Sequence, residues 1–184
     1  MDEIKLYAIS LMVFALGTGV AAGWFLGITP ENLKIREKLA RNVVLGIIIA
    51  VIDLLWCIPH SKPLLPAYLH FYLIPTAVFC AVIAYRYLDY LFSRAIGGFF
   101  ILLAYYFLHS SFVYHTPAAP VFAVCCFAMG IVGIFFSGKP HLLRDFVRHA
   151  AKSTPYKYLM AGLMAGFGVF SLVLGILHLT GRVG

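Results

Sequence analysis

Long apolar segments recur along the whole chain and constrain its fold more than any other feature. The hydrocarbon core of a bilayer is about 30 Å thick, and an α-helix crosses it in about 20 residues. Six segments meet or approach that length: 4–27, 43–58, 67–88, 95–112, 121–136 and 158–179. Apolar residues make up 62% of the chain and charged residues 11%, which excludes an ordinary soluble domain. We therefore predict an all-α polytopic membrane protein, a bundle of about six transmembrane helices forming one domain over residues 1–184.

Basic residues alternate between successive connections and predict the orientation. Lysine and arginine near span ends accumulate on the cytoplasmic side. Eleven of the 14 lie in the first, third and fifth connections: Lys34, Arg36, Lys38, Arg41, Arg86, Arg94, Lys139, Arg144, Arg148, Lys152 and Lys157. The other three, Lys5, Lys62 and Arg182, lie at the N-terminus, in the second connection and at the C-terminus. With six spans, these regions lie on the opposite side of the membrane. We expect a multi-pass protein of the plasma or inner membrane with both termini on the non-cytoplasmic side. Topology accounts for the basic charge, so the expected partner is the lipid bilayer and not nucleic acid.

Segment 139–152 is amphipathic. Its apolar residues form one helical stripe opposite charged residues: Leu142, Leu143, Phe146, Val147 and Ala150. This pattern predicts a cytoplasmic helix lying in the membrane interface.

Small residues at four-residue spacing predict where helices pack in lipid. The first span contains such a row in Ala15, Gly19, Gly23 and Gly27. The last span has Gly162 and Gly166, with Ala161 and Ala165 beside them. We expect these rows to hold the first and last helices against neighbours.

Several polar side chains lie near the span ends that the charge pattern places on the non-cytoplasmic side. Asp53 is the deepest acid, five residues before the end of the second span, or roughly 7–8 Å at 1.5 Å per residue. A carboxylate that faces lipid there costs about 2.5 kcal/mol or more, so Asp53 should face the bundle interior and have a partner. His70, His109 and His178 lie at matching depth on three other spans. Histidines near span ends also contact water and head groups without any function.

These four residues support several functions. Asp53, His70, His109 and His178 together form a set of ligands that suits a transition metal, and two of the three histidines facing each other at equal depth suit haem iron. This interpretation predicts a redox or metal-site membrane subunit that holds haem, a metal ion or a quinone. Alternatively, Asp53 and His70 act as a catalytic proton relay in a small transporter or channel, with Pro75 kinking the third helix beside His70. The chain also suits an accessory subunit of a larger membrane complex, with partner subunits and no chemistry of its own. A lipid-modifying enzyme is a fourth alternative.

Overall fold

The computed structural model describes residues 3–180, which form helices and turns and contain no strand. Eight α-helices follow one another: α1 (Glu3–Leu26), α2 (Leu33–Ala40), α3 (Val43–Ser61), α4 (Leu73–Tyr87), α5 (Leu91–Val113), α6 (Ala119–Gly138), α7 (His141–Lys152) and α8 (Thr154–Leu179). Two short 3₁₀ helices, Lys62–Leu64 and Ala67–Tyr72, lie between α3 and α4. Arg182, which the charge argument uses, lies outside the described residues.

Six helical segments of the described chain are long and apolar enough to cross a membrane. They are Glu3–Leu26, Leu33–Ser61, Ala67–Tyr87, Leu91–Val113, Ala119–Gly138 and Thr154–Leu179. The prediction of an all-α polytopic bundle is confirmed. The bounds differ from the sequence-based ones by a few residues, because α3 continues through Pro59 and α8 begins at Thr154.

Pro75 lies in the first turn of α4, and the kink predicted there stays a prediction. The segment before it, Ala67–Tyr72, is a 3₁₀ helix, and α4 begins at Leu73, so Pro75 is the third residue of α4. The first N–H groups of an α-helix have no acceptor within the helix. Because the N–H that proline lacks is one of these, Pro75 fits the start of α4 without breaking it.

The chain packs as two compact units. Within the described residues, the first comprises 3–34, 104–128 and 146–180, and the second comprises 35–103 and 129–145. In the first unit, an apolar core joins the end of α1 to α7 and α8. Its buried members are Ala22, Phe25, Ile28, Val147, Ala150 and Ala161. The single domain expected from the sequence stays a prediction.

The amphipathic helix α7 packs its apolar stripe on protein. Val147 and Ala150 are buried in the core of the first unit, and the Phe146 ring lies 4.9 Å from that of Phe25. Lys157 adds a polar contact nearby, since its Nζ donates to the Ile28 carbonyl at 3.2 Å. The cytoplasmic and interfacial position of α7 stays a prediction.

The glycines that bring α1 and α8 together are not the ones the sequence suggested. Gly19, Gly23, Gly162 and Gly166 have open space where a Cβ would lie. Gly168 instead faces Thr18 and the Ala15 carbonyl of α1, and a Cβ on Gly175 would lie 3.0 Å from the Ala8 carbonyl oxygen. The expectation is wrong for Gly162 and Gly166, whereas Ala161, named beside them, is buried in the core. Ala161, Gly168 and Gly175 are seven residues apart, about two turns, and therefore share one face of α8.

We expect Gly175→Leu to lower the free energy of unfolding by about 1–3 kcal/mol, because the added side chain overpacks the contact with α1. Gly166→Leu, on the same helix but facing open space, is the matched control and should be neutral or stabilising. Unfolding of the detergent-solubilised variants by heat or denaturant measures both effects. Equal destabilisation in the two variants would contradict the assigned contact face.

Candidate functional site

Asp53 lies on the face of α3 that packs against α5. Gly46 and Asp53 are the buried residues of α3, and they stand two turns apart on one face. A Cβ on Gly46 would lie 2.6 Å from the Phe92 backbone nitrogen, and one on Gly98 would lie 3.1 Å from Asp53 Oδ2. The two helices therefore run in the same direction, and the Asp53 carboxyl group lies against the glycine surface of α5.

A close contact between α5 and α6 lies next to this carboxyl group. We call it the glycine contact, formed by Gly97 and Gly133. A Cβ on Gly97 would lie 2.6 Å from the Gly133 carbonyl oxygen, and a Cβ on Gly133 would lie 2.6 Å from the Gly97 carbonyl oxygen. Ser93 extends the contact by donating its hydroxyl to the Phe136 carbonyl at 3.4 Å. Asp53 thus faces α5 one residue from the point where α5 approaches α6 most closely.

The Asp53 carboxyl group is buried, and one of its two oxygens has no partner in the part of the chain that the structure describes. The residue is 8% exposed, and Oδ1 has no hydrogen-bond partner among the described residues. An unpaired carboxylate in such surroundings is expensive, whereas a protonated carboxyl group carries no charge to desolvate. The geometry is therefore suited to a group that binds a proton in this conformation.

His70, the predicted partner of Asp53, is engaged with the loop before it. Its Nε2 lies 2.9 Å from the Lys62 carbonyl oxygen and 3.1 Å from that of Leu65. Carbonyl oxygens only accept, so Nε2 carries a proton and donates to them. His70 therefore fastens the 3₁₀ connection between α3 and α4, and its Nδ1 is the ring nitrogen left for any other ligand.

His109 and His178 belong to the other unit and have different surroundings. His109 is exposed, with its ring stacked on Tyr105 at a centroid distance of 6.0 Å. His178 is buried near the end of α8. Of the predicted site residues, Asp53 and His70 thus fall in the second unit and the remaining two in the first.

His178 takes part in a buried polar group that we call the Tyr7 cluster: Tyr7, Thr116 and His178. Thr116 Oγ1 lies 3.2 Å from Tyr7 Oη and 3.2 Å from His178 Nε2. The rings of Tyr7 and His178 meet edge to face at 5.3 Å. One threonine hydroxyl therefore joins α1, the α5–α6 connection and α8. His178 Nδ1 is buried and has no partner within residues 3–180.

Tyr114 closes one side of the Tyr7 cluster. Its ring lies 5.3 Å from that of Tyr7, and its hydroxyl donates to Glu3 Oε2 at 3.3 Å. Desolvation, followed by the charge of Glu3, raises the pKa of Tyr114. Tyr114 therefore remains a hydroxyl donor at neutral pH.

The described residues contain no group of three or more His, Cys, Asp or Glu side chains arranged to hold a metal ion. The proposed metal set of Asp53, His70, His109 and His178, and the haem set of its histidines, stay predictions. The structure favours a different role for two of them, since His70 binds backbone carbonyls and His178 binds Thr116.

Sequence reasoning missed the residues that surround these groups. Tyr7 and Thr116 gave no signal, because a tyrosine near a span end is typical of the aromatic belt and a loop threonine is common. The pair Gly97 and Gly98 was a readable signal, since adjacent glycines within a membrane helix favour close approach on two faces.

No protein-family model, curated protein or solved structure matches this chain. Its function must therefore be inferred from the geometry of its own residues.

We expect Thr116→Val to lower the free energy of unfolding by about 1–3 kcal/mol, because it leaves two buried polar groups unpaired while keeping the shape of the side chain. Thr76→Val, at an exposed position of α4, is the matched control. Unfolding in detergent measures both variants. A Thr116→Val protein as stable as the control variant would show that the Tyr7 cluster contributes no stability.

Proposed function

We propose that this chain is a small proton-coupled membrane transporter in which Asp53 binds the proton. The observation that carries the proposal is a buried carboxyl group on a membrane-spanning helix whose Oδ1 has no partner. Ionisable residues inside a membrane are costly and mark ion or proton pathways. An acid that served only packing would be expected to have a hydrogen-bonded partner.

The surroundings of Asp53 suit a group that is loaded and released. Gly46, Gly97, Gly98 and Gly133 line the contacts of α3, α5 and α6, so the backbones of these helices approach closely. Small sliding movements of packed helices are a common route of conformational change. Such a movement would expose the Asp53 carboxyl group to water, where its charged form is stable. The return movement would require the carboxylate to bind a proton, because a buried charge is costly.

The proposed orientation follows from the distribution of basic residues. With both termini on the non-cytoplasmic side, Asp53 lies nearer to that side of a plasma or inner membrane. His70 holds the connection that follows α3, close to the predicted point of entry. The transported substrate is not assigned.

We expect dicyclohexylcarbodiimide to modify Asp53, because carbodiimides react with protonated carboxyl groups in apolar surroundings. Asp53→Asn should lose the modification. Asp89→Asn is the control, because it removes an exposed acid from the connection between α4 and α5. This variant should still be modified at Asp53. Mass spectrometry of peptides from the membrane-embedded protein identifies the labelled residue. Unlabelled Asp53 under conditions that label other proteins' buried acids would contradict the proposal.

We also expect Asp53→Asn to lower proton uptake about 100-fold or more, as loss of a proton-transferring group typically does. The uptake is measured in proteoliposomes with an internal pH-sensitive dye. Asp89→Asn again serves as the control, and size-exclusion profiles check that both variants are folded. Uptake by Asp53→Asn equal to that of the unaltered protein would overturn the transport proposal.

A second candidate is the accessory subunit, and the exposure of α4 favours it. No residue of α4 is buried. An apolar cavity of 310 Å³ lies between α3 and α4 and is lined in part by Ala77 and Ala81. Stoichiometric co-purification of another membrane protein, with photo-crosslinks from Val78 of α4 but not from exposed Val20 of α1, would support this candidate. Purification alone with full proton uptake would exclude it.

A further inference from the structure

Two arginines from distant parts of the chain meet at the hydroxyl group of Tyr90. We call Arg41, Tyr90 and Arg144 the Tyr90 cluster. Arg41 donates to Tyr90 Oη at 3.1 Å and Arg144 donates to it at 3.5 Å. The Arg41 guanidinium also lies over the Tyr90 ring, 5.3 Å from its centroid. All three residues belong to the second unit.

The backbone at Tyr90 is held in an unusual conformation. Its φ is 55°, in the left-handed region that non-glycine residues adopt infrequently. Such a conformation is energetically unfavourable and persists where the surrounding contacts determine it. The connection between α4 and α5 therefore presents the Tyr90 side chain to the two arginines at a local energetic cost.

The charges in the Tyr90 cluster are not balanced. Asp145 contacts Arg144, with Oδ1 3.4 Å from Nε. Asp145 thus offsets one of the two positive charges, and Asp89, next to Tyr90 in the sequence, is exposed. Two guanidinium groups close together repel each other, and an anion between them would remove this repulsion.

Several hydrogen-bond donors of the Tyr90 cluster remain unused, although Arg144 Nε and Nη2 both donate to Asp145 Oδ1. A tyrosine hydroxyl that accepts two N–H groups still has its own proton to donate, and each guanidinium has five N–H donors. Arg94, one turn after Tyr90 on α5, donates NH1 to the Ser137 carbonyl at 3.0 Å but has a buried Nε without a partner in the described chain. Several donors and a net positive charge thus lie at one end of the second unit.

We propose that the Tyr90 cluster binds a phosphate group. Guanidinium groups and a hydroxyl donor match the oxygens of phosphate in both geometry and charge. Arg41 and Tyr90 lie in the connections after α2 and α4, and Arg144 lies in the first turn of α7. All three positions are near the ends of membrane spans, where phospholipid head groups occur. The phosphate is carried either by an anionic phospholipid or by free inorganic phosphate, and both sources present the same chemistry to these residues.

The test measures lipid binding to the purified full-length chain in mild detergent. Native mass spectrometry gives the affinity for phosphatidylglycerol, with phosphatidylcholine as the uncharged comparison, and competition with inorganic phosphate distinguishes the two sources. Arg41→Gln removes one guanidinium. Tyr90→Phe removes the hydroxyl group and keeps the ring under Arg41. Lys38→Gln, at an exposed lysine of α2, is the matched control for loss of one positive charge.

We expect Arg41→Gln to weaken phosphatidylglycerol binding about tenfold, the effect of losing one hydrogen bond to a charged group. Tyr90→Phe should weaken it in the same direction, and Lys38→Gln should leave it unchanged. Competition by millimolar inorganic phosphate identifies free phosphate as a ligand, and selective binding of the lipid identifies the head group; either result supports the site. The proposal would be overturned if Tyr90→Phe and Arg41→Gln bound phosphatidylglycerol as tightly as the unaltered protein. It would also be overturned if Lys38→Gln lost as much affinity as Arg41→Gln.

Discussion

The lack of water in a hydrocarbon core decides where each polar side chain of this protein can lie. Backbone groups are satisfied within the helices, so the remaining cost falls on side chains that cannot reach an interface. Thr116, Tyr7 and His178 meet this constraint by bonding to one another. Asp53 meets it differently, because its carboxyl group is placed against glycines and stays unpaired. This difference separates a group that stabilises the fold from one that is suited to change its charge.

Close backbone approach is the second theme of the structure. Gly97 and Gly133 bring α5 and α6 together, and Gly168 and Gly175 do the same for α8 and α1. In lipid, such contacts replace the hydrophobic driving force that assembles soluble helices. Near Asp53 they place glycine on both sides of the contact between α5 and α6.

The sequence predicted the helical class, the six spans and the interior position of Asp53, because length, hydropathy and the cost of a charge in lipid depend on local composition. It failed where three-dimensional neighbours decide the outcome. Gly162 and Gly166 have the expected spacing but face open space, and Pro75 is the third residue of α4, after a 3₁₀ segment. His70 binds loop carbonyls that no periodicity could reveal. Sequence patterns therefore predicted which segments are helices but not which helices contact one another.

The position of Asp53 also bears on how the chain is made. Synthesis proceeds from the N-terminus, so α3 emerges before the α5 surface against which its carboxyl group packs. Gly98 follows Asp53 by roughly 45 residues, a delay of about 2–9 s at about 5–20 residues per second. During this interval Asp53 has no glycine surface to face, and α3 must be retained by the insertion machinery or enter lipid with its acid protonated. In either case, the packing of α3 around Asp53 is completed only after the fourth span arrives.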